Sequence, residues 1–124
     1  MLYVFIAIWF IWWIFAFFKP KWIQFPVSVV AMTIAPFVFY NPKQYEYYVK
    51  THGGIKAKVR LHNHEIRHVW QQRVFSPLVM LLLYLFFFIV QFIYFKFIKL
   101  MSWYDAYRYA YWYNPFERDA RKHE

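Results

Sequence analysis

S-P-L-V-M-L-L-L-Y-L-F-F-F-I-V-Q-F-I-Y-F-K-F-I-K-L, residues 76–100, is interrupted only by Gln91 before Lys96 and Lys99 close it. Ser76-Pro77 suits a helix start, because proline at the first helical position loses no hydrogen bond. The terminal lysines can snorkel out of an apolar layer. A helical span needs about 20 apolar residues, so this stretch has length for one crossing and not for two. Its path in three dimensions decides whether the polar residues before and after it can meet.

The remainder of the chain has the same character. Of its 124 residues, 62% are hydrophobic, 28% aromatic and only 17% charged, against about 45–50% apolar and about 25% charged in an ordinary soluble domain. The length sets a ceiling of one compact unit. Sixteen Phe, twelve Tyr and seven Trp exceed what so small a core can bury, and the surplus must face lipid or a partner. Disorder is excluded by this composition, and the absence of Cys excludes a disulfide framework. The net charge of +9 fits nucleic acid, anionic headgroups or membrane topology. No nucleic-acid module is recognisable, so no nucleic-acid partner is expected. The expected class is a mainly α integral membrane protein of a bacterial or mitochondrial inner membrane.

Residues 2–18 are a second apolar run, closed by Lys19-Pro20-Lys21. A cleaved signal would carry its basic residues before the run and small residues at a cleavage site. Residues 1–21 are therefore read as an N-terminal transmembrane anchor, with Lys19 and Lys21 favouring the cytoplasmic or matrix side for the segment after them. Residues 22–41 are apolar enough for another span. They are also rich in Val, Ile, Thr, Phe and Tyr, with Pro26 and Pro36 ten residues apart, as in a short β-hairpin. The residues leave both readings open.

Polar chemistry concentrates in residues 42–75, which hold seven Lys/Arg, two acids and four of the five His. His52-Gly53-Gly54 marks a turn. From Ile55 to Leu61 apolar residues alternate with Lys56, Lys58 and Arg60, a strand-like pattern with a basic face suited to lipid headgroups. Over a longer window Ile55, Val59, His62, Ile66, Val69 and Trp70 share one helical face, and a helix is expected from about Val59. Beyond the long apolar stretch, Ser102-Trp103-Tyr104-Asp105 opens an aromatic helix suited to a membrane interface. Asn114-Pro115 ends it and starts a short helix carrying Glu117.

His64-Glu65-Ile66-Arg67-His68 is an H-E-x-x-H motif. On a helix the i, i+4 spacing puts both imidazoles on one face, where they can share a zinc ion. Glu65 can then act as general base on zinc-bound water. A catalytic zinc of this kind takes a third protein ligand. Glu46, Asp105, Glu117, Asp119 and Glu124 are the acids available; Glu117 stands out because Pro115 fixes the start of its helix. His62 faces away from His64 and reads as a packing or surface residue. Tyr111 and Tyr113 can donate to an oxyanion or anchor at an interface, with Tyr113 kept as the candidate donor. Gln71 and Gln72 can orient a ligand from behind.

H-E-I-R-H-V-W-Q-Q-R followed by Y-W-Y-N-P-F-E-R-D-A-R resembles the small gluzincin-type (minigluzincin-like) zinc metallopeptidases. In these the third ligand is a Glu in an N-P-F-E-like helix start. V-A-M-T-I-A-P-F-V-F-Y-N is similar to the strand pair before their active helix, one strand forming the edge where substrate lies. The resemblance covers roughly residues 27–123 and implies His64, His68 and Glu117 as zinc ligands and Glu65 as base. It also tilts residues 27–41 toward a hairpin, making 22–124 one membrane-associated minigluzincin-like domain.

The peptidase reading carries a geometric condition. If residues 76–100 cross a bilayer once, His64 and Glu117 end on opposite sides, and zinc bonds of about 2 Å to both cannot form. A shared zinc needs a kinked or re-entrant hairpin, a helix lying along the membrane face, or a water-accessible site within the bilayer. Two functions are carried forward. One is a membrane-anchored zinc metallopeptidase acting on a peptide or protein substrate. The other is a non-catalytic accessory subunit of a larger membrane complex, packed on other membrane subunits through its aromatic surfaces.

Overall fold

Three strands follow the first helix in the computed structural model, which describes residues 1–27 and 29–124. The strands are β1 (Lys21–Gln24), β2 (Ala31–Ile34) and β3 (Phe37–Tyr40). β2 and β3 pair antiparallel as the expected hairpin, and β1 adds parallel to β3, giving the order β1-β3-β2. A second span over these residues is thereby excluded. The side-chain period of two divides the sheet. Trp22, Ala31, Thr33 and Val38 point to the helix that carries His62, Glu65 and Val69, and Trp22 lies flat on His62 at 5.2 Å between ring centroids. On the other face Phe25, Met32, Ile34 and Phe37 are exposed and apolar, with Phe39 packed against Phe25 and Phe37.

Helix α1 (Leu2–Phe15) precedes the sheet, and Asn41-Pro42 starts α2 (Pro42–Thr51) after it. Helix α2 was not expected from the sequence, although its cap is written there. The Asn41 carboxamide oxygen accepts from the Lys43 and Gln44 amides, satisfying donors that the first turn leaves free. Gly53 and Gly54 then turn the chain at φ values of 117° and 67°, a conformation that a Cβ disfavours. The next helix, α3 (Ile55–Phe75), begins four residues before Val59, so the strand-like alternation of Ile55–Leu61 is corrected to helix. Its buried side includes Ala57, Leu61, His64, His68 and Val69, a three-and-four spacing. Lys56 and Lys58 are exposed.

Ser76 makes a sharp corner between α3 and α4 (Pro77–Ile93). Its φ of 68° and ψ of 152° lie in a region costly to any residue but glycine, by about 1–3 kcal/mol. Pro77 requires the extended ψ. The buried Ser76 hydroxyl offsets part of the cost by accepting from the Val79 amide at 3.2 Å and the Trp9 indole at 2.8 Å.

A π-helical turn, Tyr94–Ile98, extends α4 to 22 residues, about 33 Å at 1.5 Å per residue. This is one helix long and apolar enough to cross a membrane. Pro77 and Met80 are its buried residues. The chain reverses at Leu100, and α5 (Trp103–Trp112), capped by the Ser102 hydroxyl, returns along α4. The contacts run in opposite order: Phe92 with Trp103, Phe88 with Tyr107, and the Tyr84 carbonyl with the Asn114 side chain. Helix α6 (Pro115–Lys122) therefore begins beside α3. Residues 76–100 do not separate His64 from Glu117, because α5 brings the chain back.

Helix α1 has 14 residues and no buried side chain. At about 21 Å it is short for a span that needs about 20 residues. It is fastened to the rest of the molecule. The Trp13 indole donates to the Arg73 carbonyl at 2.7 Å, and the Arg73 guanidinium returns bonds to the Ala16 and Phe18 carbonyls. Ala16 joins Ala35, Val38 and Val69 in the core. The boundary drawn after residue 21 falls on the first residue of β1.

Candidate metal centre

The i, i+4 spacing of His64 and His68 on α3 sets the two imidazoles edge to face, with Nε2 atoms 3.2 Å apart. Glu117 arrives from the first turn of α6, its Oε2 at 2.8 Å from His64 Nε2 and its Oε1 at 3.3 Å from His68 Nε2. All three side chains are buried, and one donor atom from each lies within 4.8 Å of the others. Bonds of about 2.0–2.1 Å to a tetrahedral ion put ligand atoms about 3.3 Å apart; the 3.2 Å between the two Nε2 atoms matches one such edge, and a Glu117 oxygen lies near enough to complete a face. Two imidazoles and a carboxylate are a donor set that suits zinc among other divalent ions. The group could hold a metal ion.

Electrostatics bind the same atoms together. Burial opposes charge on His68, but the hydrogen bond to Glu117, the charges of Glu117 and Glu65, and the bond to Gln71 outweigh it and push its pKa up to about 9. His64 also shifts up, its burial overcome mainly by Glu117. Burial acts to raise the Glu117 pKa, yet hydrogen bonds from both imidazoles hold it well below the usual carboxylate range.

Glu65 is 5% exposed, and its Oε2 accepts from the Thr33 hydroxyl at 2.6 Å. Thr33 stands on β2, one of the two edge strands, and Gln72 fixes that strand on α3. The Gln72 amide donates to the Thr33 carbonyl at 3.0 Å and accepts from the Ala35 amide at 2.7 Å. Because Asn41 N–H donates to the Val30 carbonyl, alternation in the antiparallel ladder turns the Ala31 and Thr33 backbone groups to the outer edge. That edge borders a cleft of about 1400 Å³ with His64, Glu65, His68 and Glu117 in its lining and Trp12, Leu81, Leu85, Phe88 and Tyr107 along its walls.

Gln71 does what a ligand-orienting residue should. Its Oε1 accepts from His68 Nδ1 at 2.8 Å, and its amide donates to the Phe116 carbonyl and to Asp119. Asp119 also takes the Arg67 guanidinium at 2.7 Å, so it ties α6 to α3 rather than adding a ligand. Glu124 lies behind His64, its Oε1 2.8 Å from Nδ1. Glu46 and Asp105 are not part of the metal-competent group among the described residues. His62 packs on Trp22, as expected of it.

Tyr113 lines the cleft, but its ring stacks on Phe95 and Tyr109. The hydroxyl that donates to Glu117 is that of Tyr84, at 3.0 Å from Oε1; Tyr111 lines the same cleft. Thr33 and Tyr84 do not stand out in the sequence. The available signal is slight: the hydroxyl in A-M-T-I, and the first polar group in the apolar run after Ser76.

No protein-family model matches the chain, and neither a curated protein nor a solved structure matches it. The resemblance to gluzincin-type peptidases is carried by the motif residues alone.

Proposed function

We propose that this chain is a membrane-associated zinc metallopeptidase of gluzincin-like design, acting on extended apolar segments of peptides or proteins. The observation that carries the reading is the meeting of His64, His68 and Glu117 beside a carboxylate, Glu65, that is no part of the ligand triangle. A divalent ion held there supplies a Lewis acid that polarises a carbonyl and raises the nucleophilicity of water near neutral pH. Glu65, with Oε2 engaged by Thr33, has Oε1 to take the proton of the attacking water and deliver it to the leaving nitrogen. Tyr111 lines the cleft without the ring stacking on Phe95 and Tyr109 that holds Tyr113, so it is better disposed than Tyr113 to donate to a developing oxyanion.

The cleft supports a polymeric substrate. Its volume of about 1400 Å³ exceeds the roughly 300–1,000 Å³ of ordinary small-molecule sites. The outward backbone groups of Ala31 and the Thr33 amide, next to the Thr33 carbonyl that Gln72 already occupies, offer strand pairing to an extended chain, and the aliphatic and aromatic walls favour apolar side chains. Membrane association is supported by α4 and α1, whose apolar side chains are largely exposed, and by the apolar outer face of the sheet.

The test is Glu65→Gln in the zinc-loaded, detergent-purified protein. It is expected to keep its zinc while hydrolysis of an apolar fluorogenic peptide falls by about 10²–10⁴-fold. A wild-type protein that holds stoichiometric zinc and hydrolyses no peptide would overturn the catalytic reading. The exposed faces of α1 and α4 would then be read as contacts of a metal-holding accessory subunit.

A further inference from the structure

An imidazole that ligates through Nε2 presents its Nδ1–H on the opposite side, and the partner found there fixes the tautomer and the ring plane. For His68 that partner is the neutral carboxamide of Gln71 at 2.8 Å. For His64 it is a carboxylate, Glu124 Oε1, at 2.8 Å. Glu124 lies two residues past the end of α6, whose first turn carries Glu117. Together they hold the His64 ring between them: Glu117 on Nε2 and Glu124 on Nδ1. Helix α6 is itself locked in place, since Gln71 bonds both the Phe116 carbonyl and Asp119, and Arg67 bonds Asp119.

We propose that Glu124 is a positioning residue for the metal centre, holding His64 as the Nδ1–H tautomer with Nε2 free to ligate. The proposal rests on the metal-centre reading and extends it to a residue that the motif does not include. It makes the two histidines unequal: His64 is backed by a charge and His68 by a neutral amide. It also gives α6 and the residues just after it a double role, with a ligand in the first turn and the support of another ligand past the cap.

The experiment uses the full chain in detergent micelles, titrated with Zn²⁺ against a chromophoric chelator, with imidazole N–H protons read by NMR in the zinc-loaded state. Wild type is expected to show downfield, slowly exchanging Nδ1–H signals from both His64 and His68. In Glu124→Ala the His64 signal is expected to be lost while that of His68 stays. Zinc affinity is expected to fall by about 10–100-fold, as for other supports of metal-bound histidine. Glu124→Gln, which keeps an acceptor oxygen, is expected to restore the His64 signal and recover much of the affinity. Affinity within twofold of wild type in Glu124→Ala, or equal perturbation of both histidine signals, would overturn the proposal. Failure of wild type itself to bind zinc would instead overturn the metal-centre reading beneath it.

Discussion

His68 and Glu117 set the pH behaviour of the site. In protein stripped with chelator, His68 has its pKa raised to about 9 from an ordinary value of about 6.5. Its pairing therefore stabilises the fold fully below about pH 6.5, and that contribution fades as pH rises through about 9. Glu117 is shifted the other way; its contribution is complete above the ordinary carboxylate pKa of about 4.3 and fades as pH falls below it. The stripped protein is expected to unfold at its highest denaturant concentration between about pH 4.5 and 6.5. Zinc must displace the imidazolium protons, so its affinity is expected to rise with pH up to about 9, measured by chelator competition. An affinity that peaks below pH 6 would contradict this. At this scale much was legible. H-E-x-x-H and N-P-F-E named the residues that converge, because helical spacing and a proline-fixed helix start are local facts. Glu124 was visible only as one acid among several. Thr33 and Tyr84 reach the site through packing that no local pattern encodes.

Asn114 is the hinge between elements. Fully buried, it caps α6 through the Phe116 amide at 3.1 Å and bonds the Tyr84 carbonyl of α4 at 3.0 Å. Asn114→Ala removes the cap and the tie together. It is expected to cost about 1–3 kcal/mol in chemical unfolding and to weaken zinc binding, since Glu117 stands three residues on. An unchanged unfolding midpoint would show that α6 is positioned by Gln71 and Asp119 alone. The elements themselves were partly readable. Ser76-Pro77, Ser102 and Asn114-Pro115 start helices where their capping chemistry says they should. The β2–β3 hairpin agrees with Pro36 and the β-branched residues around it. The parallel pairing of β1 with β3 was not readable, being a contact across an intervening strand. The early start of α3 was masked because Lys56 and Lys58, which alternate like one face of a strand, also flank the buried Ala57 on a helix.

At the scale of the whole molecule, the return of α5 along α4 resolves the condition that residues 76–100 imposed. Composition shows that this stretch is apolar and long enough for one crossing; it carries no sign that a ten-residue aromatic helix comes back beside it. The aromatic side chains of α5 hold that helix in place by packing on Phe88, Phe92 and Phe95. Exposed Lys58 on α3 and Lys122 on α6 lie before and after the α4–α5 hairpin, on helices that pack on each other. The chain has no cysteine, so Lys58→Cys and Lys122→Cys can be labelled singly in reconstituted vesicles. Both are expected to react with an impermeant maleimide from the same side; labelling from opposite sides would separate α3 from α6. The central claim is that His64, His68 and Glu117 form one centre across this hairpin, and zinc content tests it most directly. Native mass spectrometry of the detergent-purified protein is expected to give one zinc per chain. His64→Ala and Glu117→Ala are each expected to lose it while remaining folded. Zinc retained in folded Glu117→Ala, or absent from folded wild type at saturating zinc, would contradict the account.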